Sequence, residues 1–420
     1  MERFIRLKRL KILKKIKVLR IIARLNIGGP AVHSILLTRH LNNDRFDSVL
    51  ATGMIGKGEG DMMYLANANN IKPVLIKELG REISWKDDII AFLKILRIIF
   101  KESPDIIHTH TAKAGTLGRT AGIIYNTISS HKAYLVHTFH GHIFNSYFST
   151  LKTKFFILIE RVLGRFTDKI IAISKGQAKE LSDKLKITSD EKFELIPLGL
   201  NLSPFYEIGR NDGLFKRELG LDDDTKLIGI VGRLVPVKNH RMFLDAVKKY
   251  KEIDNKKVKF IIIGDGELGE ELKKYSIDFG IKDDVIFTGW RKELENIYSD
   301  LDMVVITSFN EGTPVSVIEA MSAGKPVIAT DVGGVRDLFT NSEFRIQNSE
   351  LKFKKYSEGI LIDSNNSNSL AEGIKFLLSN PKLAEEMGKN GRVSVKGRFD
   401  IQRLVNDMEK MYEKLIEQGG

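Results

Sequence analysis

Residues 302–334 read DMVVITSFNEGTPVSVIEAMSAGKPVIATDVGG. A short β-branched run, Met303 to Ile306, gives way to a turn, then an apolar helical stretch, then a second short run, Val327 to Thr330. Thr313 is expected to cap the helix and Pro314 to occupy its first position. The helix is expected to stop at Gly324, with Pro326 beyond it. Strand, helix and strand in this order are the repeating unit of a parallel sheet covered by helices. Glu311 then lies at the end of the first strand and Glu319 in the second turn of the helix. Between them the helix N-terminus offers unpaired amides and partial positive charge, which suit a phosphate. Carboxylates repel phosphate but accept hydrogen bonds from sugar hydroxyls. A ligand with hydroxyls at both ends and phosphate between them, a nucleotide sugar, fits the segment. Taken alone, the spacing fits a polar turn residue and a solvated helix position better.

The same alternation runs through most of the chain. Strand candidates before residue 200 are KVLRIIARL (17–25), FDSVLATGM, KPVLIKEL, PDIIHTH, AYLVHTFHG and DKIIAIS; beyond it are KLIGIVGRL, VKFIIIGDG, DVIFTGW, DMVVITS, KPVIATDVGG and EGILID. Two such series in 420 residues predict two doubly wound α/β domains, with residues at the carboxyl ends of strands facing a cleft between them. The divide is expected in NLSPFYEIGRND, 201–212. The expected parts are an extension, 1–16; a first domain, 17–203; a second, 204–398; and a terminal helix, 399–420. In that helix Ile401, Leu404, Val405, Met408, Met411, Tyr412 and Leu415 recur at helical spacing.

The chain has no cysteine, which excludes disulfides and thiolate metal sites. No uncharged apolar run approaches the ~20 residues of a membrane-spanning helix. IIAFLKILRIIF, 89–100, is interrupted by Lys94 and Arg97 and reads as amphipathic. Of the formal net charge of +12, the first 20 residues, MERFIRLKRLKILKKIKVLR, carry nine Lys/Arg against one Glu. Lysines break every apolar stretch a secretory signal would need. A basic helix lying on an anionic membrane and a solvated extension both fit. No nucleic-acid partner is assigned, because one Phe accompanies the charge and no binding motif does. Removing residues 1–15 is expected to leave the fold intact. It should also abolish sedimentation with anionic vesicles at low salt, which full-length protein should show and lose at high salt.

Other strand ends carry candidate groups. GIVGRLVPVKN ends a strand in Arg233 and adds Lys238, two cations able to neutralise a diphosphate. ARLNIGGPAVH places Gly28 and Gly29 after the first strand, where backbone can approach a ligand. VHTFHGH places His140 and His142 at another strand end. Loop cations, a plain turn and backbone-bonded histidines would account for each separately. IIIGDGELGEEL contains a literal G-x-G-x-x-G, Gly264, Gly266 and Gly269. It lies in the second βα unit of its domain, and the next strand ends in TGW rather than in an acidic residue. A tight strand-to-helix turn is preferred to a dinucleotide site, and a surface turn to a metal cluster for Asp222–Asp224.

The ordered set GGPAVH, IIHTHTAKAGTLGR, HTFHGH, IIAISKGQ, LIPLGL, GIVGRLVPVKN, IIIGDGELGEEL and FNEGTPVSVIEAMSAGKPVIATDVGGVRDL resembles retaining glycosyltransferases of family 4, with the GT-B fold. The resemblance runs from about residue 17 to the end. It implies that Arg233 and Lys238 bind the diphosphate, Glu319 the ribose hydroxyls, and Glu311 the region of the donor sugar. Gly28 and Gly29 would meet the diphosphate on domain closure. Gly266, Gly312, Thr313 and Val315 line the donor side. His140 would stand beside the reacting sugar, and His110, Lys113 and His142 on the acceptor side. The terminal helix would cross back onto the first domain. Gly269 stands where many members have a basic residue, so no role is carried over there. The implied reaction moves a sugar, with retention, from a nucleotide diphosphate sugar, with uridine as the expected base, to an acceptor hydroxyl. The acceptor is a carbohydrate or lipid-linked precursor of a surface polysaccharide or glycolipid. The reaction needs no metal or cofactor, and the protein would be cytoplasmic or peripheral on the inner membrane face. A nucleotide-sugar 2-epimerase of the same fold and a catalytically silent binding partner are the competing readings, with a NAD-dependent oxidoreductase behind them.

Overall fold

The computed structural model describes residues 15–56, 60–80, 82–141, 150–207, 213–254, 256–339 and 353–418. Most of the basic N-terminal segment and His142 lie outside these residues. The chain forms two compact units. One comprises residues up to Ile173, Ala178–Leu200 and Gln402–Gly420; the other comprises Ser174–Gln177 and Asn201–Ile401.

The first unit is a seven-stranded sheet: β1 (Ile16–Ile22), β2 (Phe46–Gly53), β3 (Val74–Ile76), β4 (Ile106–His110), β5 (Tyr134–Phe139), β6 (Lys169–Ala172) and β7 (Phe193–Leu195). Their spatial order is β3-β2-β1-β4-β5-β6-β7, every pair parallel. Order reverses between β1 and β4, and there the carboxyl ends diverge to leave a ligand crevice. Helices α1 (Gly29–His40), α2 (Trp85–Glu102), α3 (Ala112–Ile128) and α4 (Thr150–Phe166) join the strands. The amphipathic stretch 89–100 lies within α2, which buries Ala91, Ile95 and Ile99 at four-residue spacing; Ser84 accepts from the Asp87 amide at its start. The core joins Leu19 and Ile21 of β1 to Ile95, Ile99, Ala121, Tyr125 and Leu135.

The second unit repeats the plan with β8 (Lys226–Val231), β9 (Val258–Ile263), β10 (Val285–Gly289), β11 (Met303–Ile306), β12 (Val327–Thr330), β13 (Lys354–Lys355) and β14 (Gly359–Ile362). The order is β10-β9-β8-β11-β12-β14-β13, parallel except for β13 against β14. The two-residue β13 carries no periodic signal and escapes a reading of pattern. The reversal here falls between β8 and β11. Helices α5 (His240–Ile253), α6 (Gly269–Asp278), α7 (Leu294–Asp300), α8 (Val315–Ser322), α9 (Ser367–Ser379) and α10 (Pro381–Val395) cover the sheet, whose core includes Phe243, Val247, Phe260, Ile262, Ile328 and Ile374.

The final helix, α11 (Ile401–Gln418), buries Leu404, Val405, Met408, Met411, Tyr412 and Leu415. It is tied to the first unit by Asn43 donating to Glu409 at 2.9 Å, by an Arg45–Glu413 ion pair, and by Arg403 donating to the Pro197 carbonyl at 2.9 Å. One local expectation is corrected. Thr313 does not cap α8. Pro314 occupies the cap position with extended backbone (φ −72°, ψ 111°), the helix begins at Val315, and the Thr313 hydroxyl is buried without a partner among the described residues. The expected stop holds: Gly324 turns left-handed at φ 70°, and the Gly324 and Lys325 amides donate to Met321 and Ala320.

Candidate active site

In the second unit, β8 and β11 present their carboxyl ends side by side at the reversal point. After β8 the chain passes Gly232 and Arg233, then forms one 3-10 turn, Pro236–Lys238, that brings Lys238 back. A Cβ on Gly232 would stand 3.8 Å from Lys238 Cδ and Cε, so the lysine stem lies over the strand end. Lys238 Nζ donates to Glu311 Oε1 at 2.6 Å, and Ser308 Oγ donates to the same oxygen at 2.6 Å. Both charged side chains are largely buried, 23% exposed for Lys238 and 10% for Glu311, which strengthens their pairing over a surface pair. The Arg233 guanidinium makes no hydrogen bond or ion pair among the described residues. Among the described residues it is a cation without a counter-ion, on the loop that leads to a pair that already neutralises itself.

The loop carrying Glu311 is fixed from behind. The Gly334 amide donates to the Glu311 carbonyl at 3.0 Å, and a Cβ on Gly334 would stand 1.6 Å from the Gly312 carbonyl oxygen. The Glu311–Gly312 turn and the end of the stretch quoted at the outset therefore pack backbone against backbone. The amides of Val315 and Ser316, at the α8 N-terminus, have no backbone acceptor among the described residues and can receive an anion. One turn on, Glu319 is held by the Tyr298 hydroxyl, which donates to Oε2 at 3.1 Å. Burial pushes the Glu319 carboxyl up to about 7; the Tyr298 hydrogen bond opposes the rise and Glu295 adds to it.

Gly266 has a structural duty. A Cβ there would lie 2.5 Å from the Leu234 carbonyl oxygen, and Leu234 exchanges backbone bonds with Asp265 and Leu268 at 2.9 and 3.0 Å. The turn between β9 and α6 is stitched to the Arg233 loop, as the preference for a strand-to-helix turn over a dinucleotide fingerprint anticipates.

In the first unit, period-two alternation points His108 and His110 of β4 to one side of the sheet, with ring centroids 4.1 Å apart. His110 Nδ1 and His140 Nε2 share a hydrogen bond of 2.9 Å. His33, one turn into α1, brings its ring to 4.9 Å from that of His140 and 5.6 Å from that of His110. His108 is clamped by the Tyr412 hydroxyl at 2.6 Å and the Thr138 hydroxyl at 2.7 Å, and fully buried Arg20 donates to Tyr412 and Ser48. Burial lowers His140 to about 3 and holds His33, His108 and His110 well below the usual imidazole range, with the other imidazoles and Arg20 adding to the fall for these three. All are neutral at pH 7.

Sequence reading separates into three outcomes here. His110 and His140 are brought together. Gly28 and Gly29 open the helix that carries His33, and a Cβ on Gly28 would meet only Pro30 Cδ, at 3.8 Å. Lys113 is not part of the cluster's hydrogen bonding: its ammonium pairs with Asp88 at 2.5 Å and the Glu82 carbonyl. His33, His108, Tyr412, Ser308 and Tyr298 were not foreseen as site residues. His33 stands inside GGPAVH and His108 inside HTHT, but the others lie in segments whose periodicity marks only core or strand.

The family model described as glycosyl transferases group 1 matches residues 212–394, and the one described as Glycosyltransferase Family 4 matches residues 27–204. A curated relative, the UDP-Gal:alpha-D-GlcNAc-diphosphoundecaprenol alpha-1,3-galactosyltransferase of Escherichia coli, is 29% identical over 90% of this chain and 91% of its own. The capsular polysaccharide biosynthesis glycosyltransferase CapM of Staphylococcus aureus is 25% identical over 81% of this chain and 85% of its own. Among solved structures, Anabaena HepE in complex with UDP superposes with a TM-score of 0.76 at 20% identity, covering 95% of this chain and 100% of that one. The two family models divide the chain between the two doubly wound units and meet it in order, and the chain belongs to the group 1 glycosyltransferases of the GT-B fold.

Proposed function

We propose that the protein is a retaining, metal-independent glycosyltransferase. It would move a sugar from a uridine diphosphate sugar to a hydroxyl of a lipid-linked or polysaccharide acceptor. The carrying observation is the second-unit set: Arg233, without a counter-ion among the described residues, the Lys238–Glu311–Ser308 trio, and the α8 amides, all near the strand ends flanking the sheet reversal. The UDP-galactose donor of the Escherichia coli relative and the UDP in the HepE complex support a uridine donor, and the diphosphoundecaprenol-linked acceptor of the former supports a lipid-linked one.

In this reading Glu319 accepts from the ribose hydroxyls, and Glu311, steadied by Lys238 and Ser308, accepts from the donor sugar. Arg233, Lys238 and the amides of Val315 and Ser316 meet the charge that grows on the diphosphate as its bond to the anomeric carbon breaks. Preorganised charge of this kind is commonly the largest catalytic term. The acceptor oxygen bonds to the same face of the anomeric carbon, and its proton passes to a donor phosphate oxygen. Neutral His140, on the first unit, hydrogen-bonds the reacting sugar. Glu311 is engaged by a cation and a hydroxyl, and no covalent role is assigned to it. The test is incubation with uridine diphosphate sugars and a lipid-linked acceptor, following nucleotide release and the anomeric configuration of the product. Acceptor-dependent release with an α-linked product from an α-linked donor is expected. Acceptor-independent conversion of the donor would mark an epimerase instead.

Glu319 adds a pH signature. Ribose hydroxyls bind best to the ionised carboxylate, whose pKa stands at about 7 in the ligand-free protein. Affinity for a nucleotide sugar, whose diphosphate diester does not itself titrate here, should rise up to about tenfold between pH 6 and 8, with proton release on binding. The ligand-free fold shows the opposite slope. A carboxyl raised above its unfolded value contributes stability at low pH that is lost as pH rises through about 7. Calorimetry in buffers of different ionisation enthalpy reads the first effect and melting curves the second. Glu319→Gln should flatten both, and a wild-type affinity independent of pH would remove the assignment.

A further inference from the structure

We infer that His33, His110 and His140 form a binding site for a zinc-class transition-metal cation, with three imidazole ligands and one open position. Their candidate ligand nitrogens all lie within 4.8 Å of one another, the one such group of histidines or carboxylates among the described residues. The three come from neighbouring carboxyl ends of one sheet: His33 from the helix after β1, His110 from the end of β4, and His140 just after β5. His33 thus sits on a helix, His110 on a strand, and His140 directly follows a strand. His33 and His110 are almost fully buried, at 2% and 0% exposure.

A second observation concerns unmet bonding capacity. Both ring nitrogens of His33, Nε2 of His110 and Nδ1 of His140 are buried without a hydrogen-bond partner among the described residues. Buried polar atoms are nearly always paired, and a local concentration of unpaired ones points to an ion or ordered water. Three histidines and an open fourth position make a common zinc donor set, with nitrogens ~2.0–2.1 Å from the metal. The rings are neutral at pH 7, the form that ligates. No carboxylate of the described residues stands among them, so the site favours a borderline-soft cation over Mg²⁺ or Ca²⁺, which take oxygen ligands.

Binding itself is independent of the proposed transfer reaction. A consequence rests on that reading: a cation that occupies His140 withdraws it from the sugar and slows transfer.

The probes are Co²⁺, whose visible bands report imidazole ligation, and Zn²⁺, followed by calorimetry on the full-length protein. One saturable site per chain is expected, with Co²⁺ bands bleached by one equivalent of Zn²⁺. His33→Ala and His110→Ala should each weaken Zn²⁺ at least about tenfold, while His131→Ala, outside the cluster, should not. Melting curves identify any variant that fails to fold, and His33→Gln, which keeps side-chain bulk, replaces it. Absence of saturable Zn²⁺ binding to the wild type, or full binding by the folded His33 and His110 variants, overturns the site. Tight binding with unchanged transfer leaves the metal site standing and removes the role of His140.

Discussion

Lys238→Ala should lower kcat/KM by about 10²–10³-fold, the loss typical of removing one preorganised donor to developing negative charge. The effect should exceed that of Arg233→Ala, and the reason lies in the pairing. Lys238 Nζ is 2.6 Å from Glu311 Oε1, and among the described residues only the Ser308 hydroxyl also serves that oxygen. Removing the ammonium takes away a positive charge and also unmasks a largely buried carboxylate beside the expected diphosphate. Arg233→Ala removes charge without exposing an opposite one. The double variant Lys238→Ala/Glu311→Gln should therefore fall short of additivity, because the second change relieves a repulsion created by the first. Steady-state kinetics of the two single variants and the double variant, each beside a melting curve, test this. Equal kcat/KM for wild type and Lys238→Ala would remove the donor-side assignment.

Gly334→Ala should cost stability and transfer together. The added carbon would sit 1.6 Å from the Gly312 carbonyl oxygen and 3.2 Å from Ser174 Oγ. The nearer obstacle is backbone, so no rotamer change relieves it. The loop that carries Glu311 must shift, and the Gly334–Glu311 backbone bond of 3.0 Å shifts with it. Overpacking of this kind costs about 1–3 kcal/mol, and displacement of Glu311 should remove most transfer even well below the melting point. Gly269→Ala is the control. Its new carbon would meet Leu234 Cδ1 at 3.6 Å, an ordinary contact, at the first residue of a helix. Its melting temperature and turnover should match the wild type. If Gly334→Ala also matches the wild type, the packing of the two ends of residues 310–334 does not support the site.

Alternating short strands and helices sufficed to read two doubly wound units from the chain, because a strand buried on both faces must be a near-continuous apolar run and its crossover must be helical. That Arg233, Lys238 and Glu311 lie just past the carboxyl ends of β8 and β11 was legible for a related reason: in such sheets the end of an apolar run marks the edge of the sheet, so position along the chain predicts position in space. The helix stop at Gly324 was legible from local chemistry, while its start was displaced from Thr313 because the backbone at Pro314 stays extended.

What joins the residues was decided only by tertiary structure. Lys238 and Glu311 are 73 positions apart, and nothing in either segment states that they pair or that Ser308 completes the pair. Tyr298 reaches Glu319 from a different helix, and burial there, which no local pattern encodes, moves the carboxyl to about 7. Lys113, placed by its motif on the acceptor side, spends its charge on Asp88. The histidine cluster makes the contrast sharpest. His33, His110 and His140 occupy three separate segments, and Tyr412, 304 positions from His108, clamps the neighbouring ring. Periodicity shows which side of a strand a residue faces. Which side chains meet there depends on strand order, register and the packing of the last helix, and those are properties of the folded chain.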